Sequence, residues 1–296
     1  MTREPTFMFC VGATKAGTSW LHDHLARHDE CHFRTIKELH YFGLSKRAHF
    51  ENAARLGHQK IARLTELLPT AEHKSESIER RLVDLRDWQK VLELGAADMP
   101  AYTSYLTTGI GSAHVVGDVT PAYGLLPIET LRSMSHVGLD VRVVYLVRDP
   151  LARLWSHVRM IVKHAAPEKF RAEAAALFDS VISGQTSKEI TGILSRGDYA
   201  SILPKLIKAF GPKRLLVMFY EDLISLAGTA KLSEFLGILP GKADLSRRIH
   251  NGLHLALPPV SKDRALAFLQ PQYDYIVQHM GPVPKAWHYN MKEGIA

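Results

Sequence analysis

Phe7-Met8-Phe9-Cys10-Val11-Gly12-Ala13-Thr14-Lys15-Ala16-Gly17-Thr18-Ser19-Trp20 holds three kinds of local structure in one stretch. Phe7 to Gly12 is an unbroken apolar run, the composition of a strand buried on both faces of a parallel sheet. Gly12 to Gly17 is a loop of small residues around one lysine, and the pattern from Thr18 to Arg27 is helical. A strand, a Gly-bearing loop and a helix in that order open an α/β fold, in which ligands gather beyond the carboxyl ends of the strands. The loop is built like an anion cradle. Small side chains let backbone N–H groups approach, the helix N-terminus contributes its positive dipole end, and Thr18 and Ser19 add hydroxyl donors. It is not the Gly-x-x-x-x-Gly-Lys-Ser/Thr loop, because Lys15 precedes Gly17 instead of following it.

Outward from this opening, Cys31 to Ile36 is a second short apolar segment, followed by Lys37-Glu38-Leu39-His40-Tyr41-Phe42. From about 45 to 94 the chain is polar with helical periodicity, and an inserted helical segment of about 45–110 carries Tyr102 and Tyr105 near its end. Val115-Val116-Gly117 resumes the sheet and Pro121 stops it. Val141 to Val147 predicts a strong strand ending in Arg148-Asp149-Pro150, and Pro150 suits the first turn of the next helix. A helical stretch spans about 167–195 within a second insertion of about 160–195. Tyr199–Phe210 predicts a helix, Leu215–Tyr220 a strand and Ser261–Met280 a C-terminal helix. The expected architecture is a single domain over 1–296: a P-loop-like three-layer α/β fold, its central parallel β-sheet flanked by helices, with the insertions as a lid.

Composition narrows the function. The 296 residues include 37 Lys+Arg and 30 Asp+Glu and are 46% hydrophobic, which excludes disorder, collagen and a small disulfide scaffold. The net charge of +7 favours anionic ligands, but the basic residues form no runs, so no nucleic-acid partner is expected. No stretch has the ~18–20 apolar residues of a membrane span, so no transmembrane segment is expected. The apolar run from Thr6 to Gly12 is too short for a signal-peptide core. Two cysteines, Cys10 and Cys31, form no disulfide framework and point to a reducing, cytoplasmic compartment. Sixteen histidines occur without His-Glu-x-x-His or Cys-x-x-Cys spacing, so no metal is expected. A homo-oligomer is compatible with the sequence, which sets no oligomeric state.

Lys15-Ala16-Gly17-Thr18-Ser19-Trp20 together with Lys37-Glu38-Leu39-His40-Tyr41-Phe42 resembles the 5′-phosphosulfate loop and Lys-Glu-x-His-Phe-Phe segment of sulfotransferases that use 3′-phosphoadenosine 5′-phosphosulfate (PAPS). Tyr145-Leu146-Val147-Arg148-Asp149-Pro150, with Arg153 and Ser156, is similar to the family's 3′-phosphate-binding strand and helix. Gly117-Asp118-Val119-Thr120-Pro121-Ala122-Tyr123 is similar to its Gly-Glu-Lys-Ser/Thr-Pro-x-Tyr segment. Arg196-Gly197-Asp198-Tyr199-Ala200, Leu216 to Leu223 and Phe235-Leu236-Gly237 continue the series. The resemblance covers nearly the whole chain apart from 45–110 and part of 160–195, and is to soluble, bacterial-type members distantly similar to the glycosaminoglycan enzymes.

The resemblance implies transfer of a sulfuryl group from PAPS to a hydroxyl or amine of a small-molecule, saccharide or lipid acceptor, releasing adenosine 3′,5′-bisphosphate (PAP). Lys15 through Trp20 would hold the 5′ end, Arg148 and Ser156 the 3′-phosphate, and Trp20 and Tyr199 would flank the adenine or serve as core. The chemistry independently asks for such residues. In-line transfer through a loose transition state builds charge on the leaving oxygen, suiting Lys15, and strips a proton from the acceptor, suiting Glu38 as general base. His40 takes the family's acceptor-side role or is an ordinary hydrogen-bonded histidine; Asp118, Tyr123 and Tyr102 are candidate acceptor contacts. A sulfuryl group carries less negative charge than a phosphoryl group, which removes the need for a magnesium-binding acid; Asp149, at a strand end, tests this.

Gly43 and Val119 stand where glycosaminoglycan-type members carry an acid and a lysine, which argues against a heparan-like acceptor. Ile249 to Leu253 is the nearest match to the family's late basic loop, with Arg247, Arg248 and Lys262 as alternative cations. Two rival functions are a P-loop nucleotide-dependent kinase, which requires a Walker lysine and magnesium, and a non-catalytic anion or nucleic-acid binder, for which Glu38 would be dispensable.

Overall fold

Five apolar segments become the strands of one sheet: β1 (Thr6–Gly12), β2 (Cys31–His32), β3 (Val115–Val119), β4 (Asp140–Val147) and β5 (Leu215–Phe219). The computed structural model describes residues 4–165, 167–246, 255–257 and 259–291. Every strand pairing is parallel, in the order β2-β3-β1-β4-β5. All seven residues of β1 are buried, as a continuous apolar run at the centre of a covered sheet requires. From β1 the chain crosses to β2 on one side, whereas β4 leads to β5 on the other. The order therefore reverses beside β1, and the carboxyl ends of β1 and β4 frame the crevice where such sheets bind ligands.

The helices are α1 (Thr18–Ala26), α2 (Arg47–Leu67), α3 (Ser75–Glu93), α4 (Met99–Thr107), α5 (Ile128–Met134) and α6 (Pro150–Ala165), then α7 (Phe170–Ile182), α8 (Lys188–Ser195), α9 (Tyr199–Phe210), α10 (Tyr220–Leu223), α11 (Leu226–Leu236) and α12 (Pro259–Met280). Local chemistry marks their starts. Asp98 caps α4 through Ala101 N–H at 2.8 Å, Ser187 caps α8 through Ile190 N–H at 3.1 Å, and Asp198 caps α9 through Ser201 N–H at 3.2 Å. The expected continuous helical stretch over 167–195 is instead α7 and α8, parted after Gly184 and restarted by the Ser187 cap. Sequence periodicity also left α5 and α11 unread, and Tyr220 opens α10 instead of closing β5.

The core centres on β1 and β4, with Met8, Phe9, Val143, Val144 and Leu146 fully buried in one cluster that also holds Leu21 and Leu25 of α1 and Leu154 and Val158 of α6. The 45–110 insertion resolves into α2, α3 and α4. Its inner face carries Leu82, Leu85, Trp88, Val91 and Leu92 of α3. Trp88 stacks obliquely on Tyr105, ring centroids 5.0 Å apart, and meets Tyr41 edge-on at 6.3 Å. A buried ion cluster fastens the insertion to the segment after β2: Arg34, its side chain 6% exposed, reaches Asp84 and Asp87 at 2.6 Å each. Asp84 also accepts the Thr35 N–H at 2.5 Å. The helical insertion is thereby fixed beside Lys37 to Phe42.

Candidate active site

The loop after β1 is shaped by what packs on it. A Cβ on Gly12 would lie 2.2 Å from the Tyr145 ring of β4, and one on Gly17 would lie 2.2 Å from the Tyr220 ring after β5. Gly17 also adopts φ 87°, in the left-handed region that glycine occupies without steric cost. It is the N-cap of α1, no side chain caps that end, and the first turn holds no acid. The first N–H groups of a helix have no intrahelical acceptor, so this end of α1 is a ready anion site.

Four non-glycine residues among those described have positive φ: Lys15 (71°), Glu38 (37°), His40 (58°) and Glu72 (38°). Three of the four are the residues that sequence chemistry singles out. Backbone held in a sparsely populated region concentrates at functional sites, where surrounding structure over-determines it. Here Arg148 does part of that work, its guanidinium Nη1–H donating to the Lys15 carbonyl at 2.9 Å. Burial lowers the proton affinity of Lys15, and the neighbouring charges of Arg148, Arg159 and Lys37 lower it further against the pull of Glu38. Arg148, from the end of β4, lies over the Tyr220 ring at 5.2 Å.

Glu38 is gripped from both sides. Lys37 Nζ is 2.8 Å from Oε1 and His40 Nε2 is 3.4 Å from Oε2. Partial burial pushes the carboxyl up, but the hydrogen bonds and charges of His40 and Lys37 outweigh it and bring the group down to about 2. It is therefore a carboxylate across the whole working pH range. Behind it, the His40 N–H points to Thr120 Oγ1 at 3.5 Å, and Thr120 in turn donates to Asp118 at 2.7 Å. Asp118 is 2% exposed and also accepts the hydroxyls of Tyr123 at 2.6 Å and Tyr102 at 3.1 Å. Burial raises its proton affinity, opposed by those three hydroxyls.

The sequence-predicted residues thus fall into two groups. Lys15, Ala16, Gly17, Thr18, Ser19, Glu38, His40, Arg148 and Ser156 belong to elements that meet at the carboxyl edge of the sheet. Trp20 and Tyr199 do not present rings to that crevice. Trp20 is 6% exposed and stacked on His24 at 5.0 Å, while Tyr199 is fully buried, its hydroxyl donating to the Arg148 carbonyl at 2.7 Å and accepting the Arg148 N–H at 3.2 Å. Tyr199 is a positioning residue for Arg148, and both rings are packed as the core reading of these residues has them. Tyr102 and Tyr123 are likewise buried, and their hydroxyls hold Asp118. Asp149 is 3% exposed and spent on structure: it accepts Ala152 N–H at 2.7 Å, capping α6, and the Tyr273 hydroxyl at 3.1 Å.

Lys37, Thr120 and Tyr220 join the site without having been given roles from sequence. Thr120 and Tyr220 each follow directly on a strand, and the carboxyl-end rule would have found them. Lys262 donates to the Tyr289 carbonyl at 3.0 Å, and Arg247, Arg248 and Ile249 to Leu253 lie outside the described residues. No group of three or more His, Cys, Asp or Glu side chains able to hold a metal occurs among the described residues. Nor is any helix among them long and apolar enough to cross a membrane.

Residues 5–251 match the sulfotransferase domain family. The chain belongs to the sulfotransferases. Its fold agrees: a sulfotransferase from Alicyclobacillus acidocaldarius superposes with a TM-score of 0.62 at 18% identity, covering 97% of this chain and 100% of that one. The sulfotransferase domain of the Synechococcus PCC 7002 olefin synthase gives 0.53 at 15% identity, covering 92% and 97%. The sulfotransferase domain from the curacin biosynthetic pathway gives 0.50 at 15% identity, covering 92% and 99%. Comparison with curated protein sequences gives no match. In this sulfotransferase, the N-terminus of α1, the left-handed Lys15 and the clamped Glu38 carboxylate belong to elements that meet at one sheet edge.

Proposed function

We propose that this sulfotransferase moves a sulfuryl group from PAPS to a hydroxyl or amine of a small-molecule, saccharide or lipid acceptor, and releases PAP. The observation that carries the reading is the left-handed backbone shared by Lys15, Glu38 and His40 at the mouth of the loop after β1. Lys15 neutralises charge that collects on the bridging 5′-phosphate oxygen as its bond to sulfur breaks. The α1 N-terminus and the hydroxyls of Thr18 and Ser19 hold the adjoining phosphate. Arg148 and Ser156 take the 3′-phosphate, and Tyr220, half-buried between Gly17 and Arg148, offers a flat face for the base.

As the acceptor oxygen or nitrogen bonds to sulfur, its proton passes to the Glu38–His40 pair. A carboxylate held near 2 is a weak base by itself. Paired with an imidazole, it orients the ring and stabilises the charge the ring gains, so the two act as one unit. The insertion of α2, α3 and α4, bolted to this segment through Arg34, forms the acceptor-side lid of a single domain. Both cysteines are buried free thiols, which supports work in the reducing cytoplasm.

Calorimetric titration with PAP and with ATP, each with and without magnesium, tests the donor. Micromolar PAP binding that ignores magnesium, beside weaker ATP binding, is the expected result. Magnesium-dependent ATP binding with no response to PAP would overturn PAPS as donor and favour a phosphotransferase.

A further inference from the structure

Residues 150–153 open α6 and residues 199–202 open α9, and the backbone N–H groups of a first turn need acceptors from outside the helix. In α6, Pro150 has no N–H, Ala152 donates to the Asp149 carboxylate at 2.7 Å, and Arg153 donates to the Asp149 carbonyl at 2.8 Å. In α9, Tyr199 donates to the Gly197 carbonyl at 3.1 Å, Ser201 to the Asp198 carboxylate at 3.2 Å and Ile202 to the Asp198 carbonyl at 3.0 Å. Each capping aspartate thus leaves the N–H of its helix's second residue unserved. Two adjacent residues of α12 take them. The Leu151 N–H donates to the Tyr273 hydroxyl at 3.3 Å, and the Ala200 N–H donates to Gln272 Oε1 at 3.3 Å. Both side chains then turn back on the aspartates: the Tyr273 hydroxyl donates to Asp149 Oδ2 at 3.1 Å, and Gln272 Nε2 donates to Asp198 Oδ1 at 3.0 Å.

One dipeptide therefore completes two helix caps in the same way, and α12 packs against both helices. The clasp is itself held firmly. Tyr273 is 2% exposed, and its ring meets the fully buried Trp287 ring edge-on at 6.1 Å. Trp287 in turn meets Phe219, the last residue of β5, at 5.1 Å. What the clasp encloses is Arg148. That residue directly precedes Asp149, and its backbone N–H and carbonyl both bond to the hydroxyl of Tyr199, the first residue of α9. Arg148 is thus tied to the starts of α6 and α9 together, and a shift of one helix against the other moves it. Helix α12, which bridges those starts, begins beyond the residues that match the family.

We infer that Gln272 and Tyr273 are positioning residues for the donor site: their clasp fixes α6 against α9 and, through Tyr199, the place of Arg148, so that the C-terminal helix is part of the donor-binding unit. This rests on the PAPS reading above. Isothermal titration with PAP compares wild type, Tyr273→Phe and Gln272→Ala, and each of those variants combined with Arg148→Ala. Tyr273→Phe keeps the ring against Trp287 and removes only the hydroxyl; PAP should bind about 5- to 20-fold more weakly. Gln272→Ala, at a half-buried position, should weaken PAP about 3- to 10-fold, and it carries the test if Tyr273→Phe does not fold. With Arg148→Ala already present, either change should cost less than about twofold more, because a clasp that acts through Arg148 then has nothing left to place. A merely structural role would weaken PAP equally in both backgrounds. That result, or PAP affinity within twofold of wild type in both single variants, overturns the clasp alone. Wild type that does not bind PAP overturns the donor reading, and this proposal with it.

Discussion

Replacing Arg34 with methionine removes a buried charge while keeping most of the side-chain volume. Arg34 is 6% exposed at its side chain and makes 2.6 Å contacts to Asp84 and Asp87, which are 12% and 28% exposed. It also donates to the Thr108 carbonyl at 3.2 Å and lies over the Tyr105 ring at 4.6 Å. Breaking a buried pair by deleting one partner leaves the other uncompensated, at a cost of ~3–5 kcal/mol. With an unfolding entropy of about 2.1 cal/mol/K per residue, that loss lowers Tm by roughly 5–8 °C in a chain of 296 residues. Urea denaturation at pH 7 measures it directly. The sign of its pH dependence follows from Asp87. Burial raises that carboxyl, but Lys90 and Arg34 outweigh burial and hold it below its ordinary value. The wild-type advantage is complete above the unfolded carboxyl pKa and shrinks as pH falls through the folded one. A loss below about 1 kcal/mol at pH 7, or one that grows on acidification, would refute the view that this cluster fastens the insertion to the site.

Glu38→Gln should cut PAP release from PAPS by about 10²–10⁴-fold across a panel of phenol, sugar and amine acceptors. PAP affinity by calorimetry should hold within about threefold, since the carboxylate does not touch the donor's phosphates in this reading. Lys15→Ala should also lower turnover by about 10²–10³-fold, the range seen when one preorganised electrostatic donor is removed, with Lys15→Arg recovering little because the guanidinium does not fit the tight loop. Gly17→Ala must displace the Tyr220 ring and adopt φ 87°; PAP affinity should fall at least tenfold, and Gly17→Ala combined with Tyr220→Ala should lose less than the two single variants together, as a double-mutant cycle will read. Stability should fall as pH drops below about 6.5. His157 is buried beside Arg153, Arg196 and Lys15 and brought down to about 3, so only the unfolded chain takes up its proton in that window, at up to about 1.4 kcal/mol per pH unit. His157→Gln, which keeps an acceptor toward Arg153, should flatten that slope in denaturant titrations between pH 6.5 and 4.5.

The sheet was legible where composition allows one outcome. Phe7 to Gly12 and Val141 to Val147 are too apolar and too short for anything but buried strands, and the structure has them at the centre of the sheet. Tyr199–Phe210, read as a helix, has those bounds in the structure, between the Asp198 cap and Gly211. The two insertions read as helical but not as separate helices, because amphipathic periodicity runs across a break unless a cap is noticed. Aromatic residues were the least legible. Trp20, Tyr102, Tyr123 and Tyr199 carry rings that suit a ligand face and a core equally well, and only burial distinguishes the two. The backbone strain was invisible for a different reason: lysine, glutamate and histidine have no residue-type signature for positive φ, which is imposed by what surrounds them.

Asp118 gives the molecule a shared foundation. Tyr102, from the end of the insertion, and Thr120, which touches the His40 backbone, hang from the same buried carboxylate. A change at Tyr102 therefore acts, through Asp118 and Thr120, on the backbone of His40, which the proposed reaction places beside the acceptor. Under the proposed reaction, choice of acceptor and speed of transfer are linked at these inner positions. The hydrogen bonds of Asp118 come from Tyr102, Thr120 and Tyr123 and not from α2, whose far turns beyond Ala54 carry no buried residue. New acceptor preferences in proteins built this way should arise there first, and redesign should begin there too.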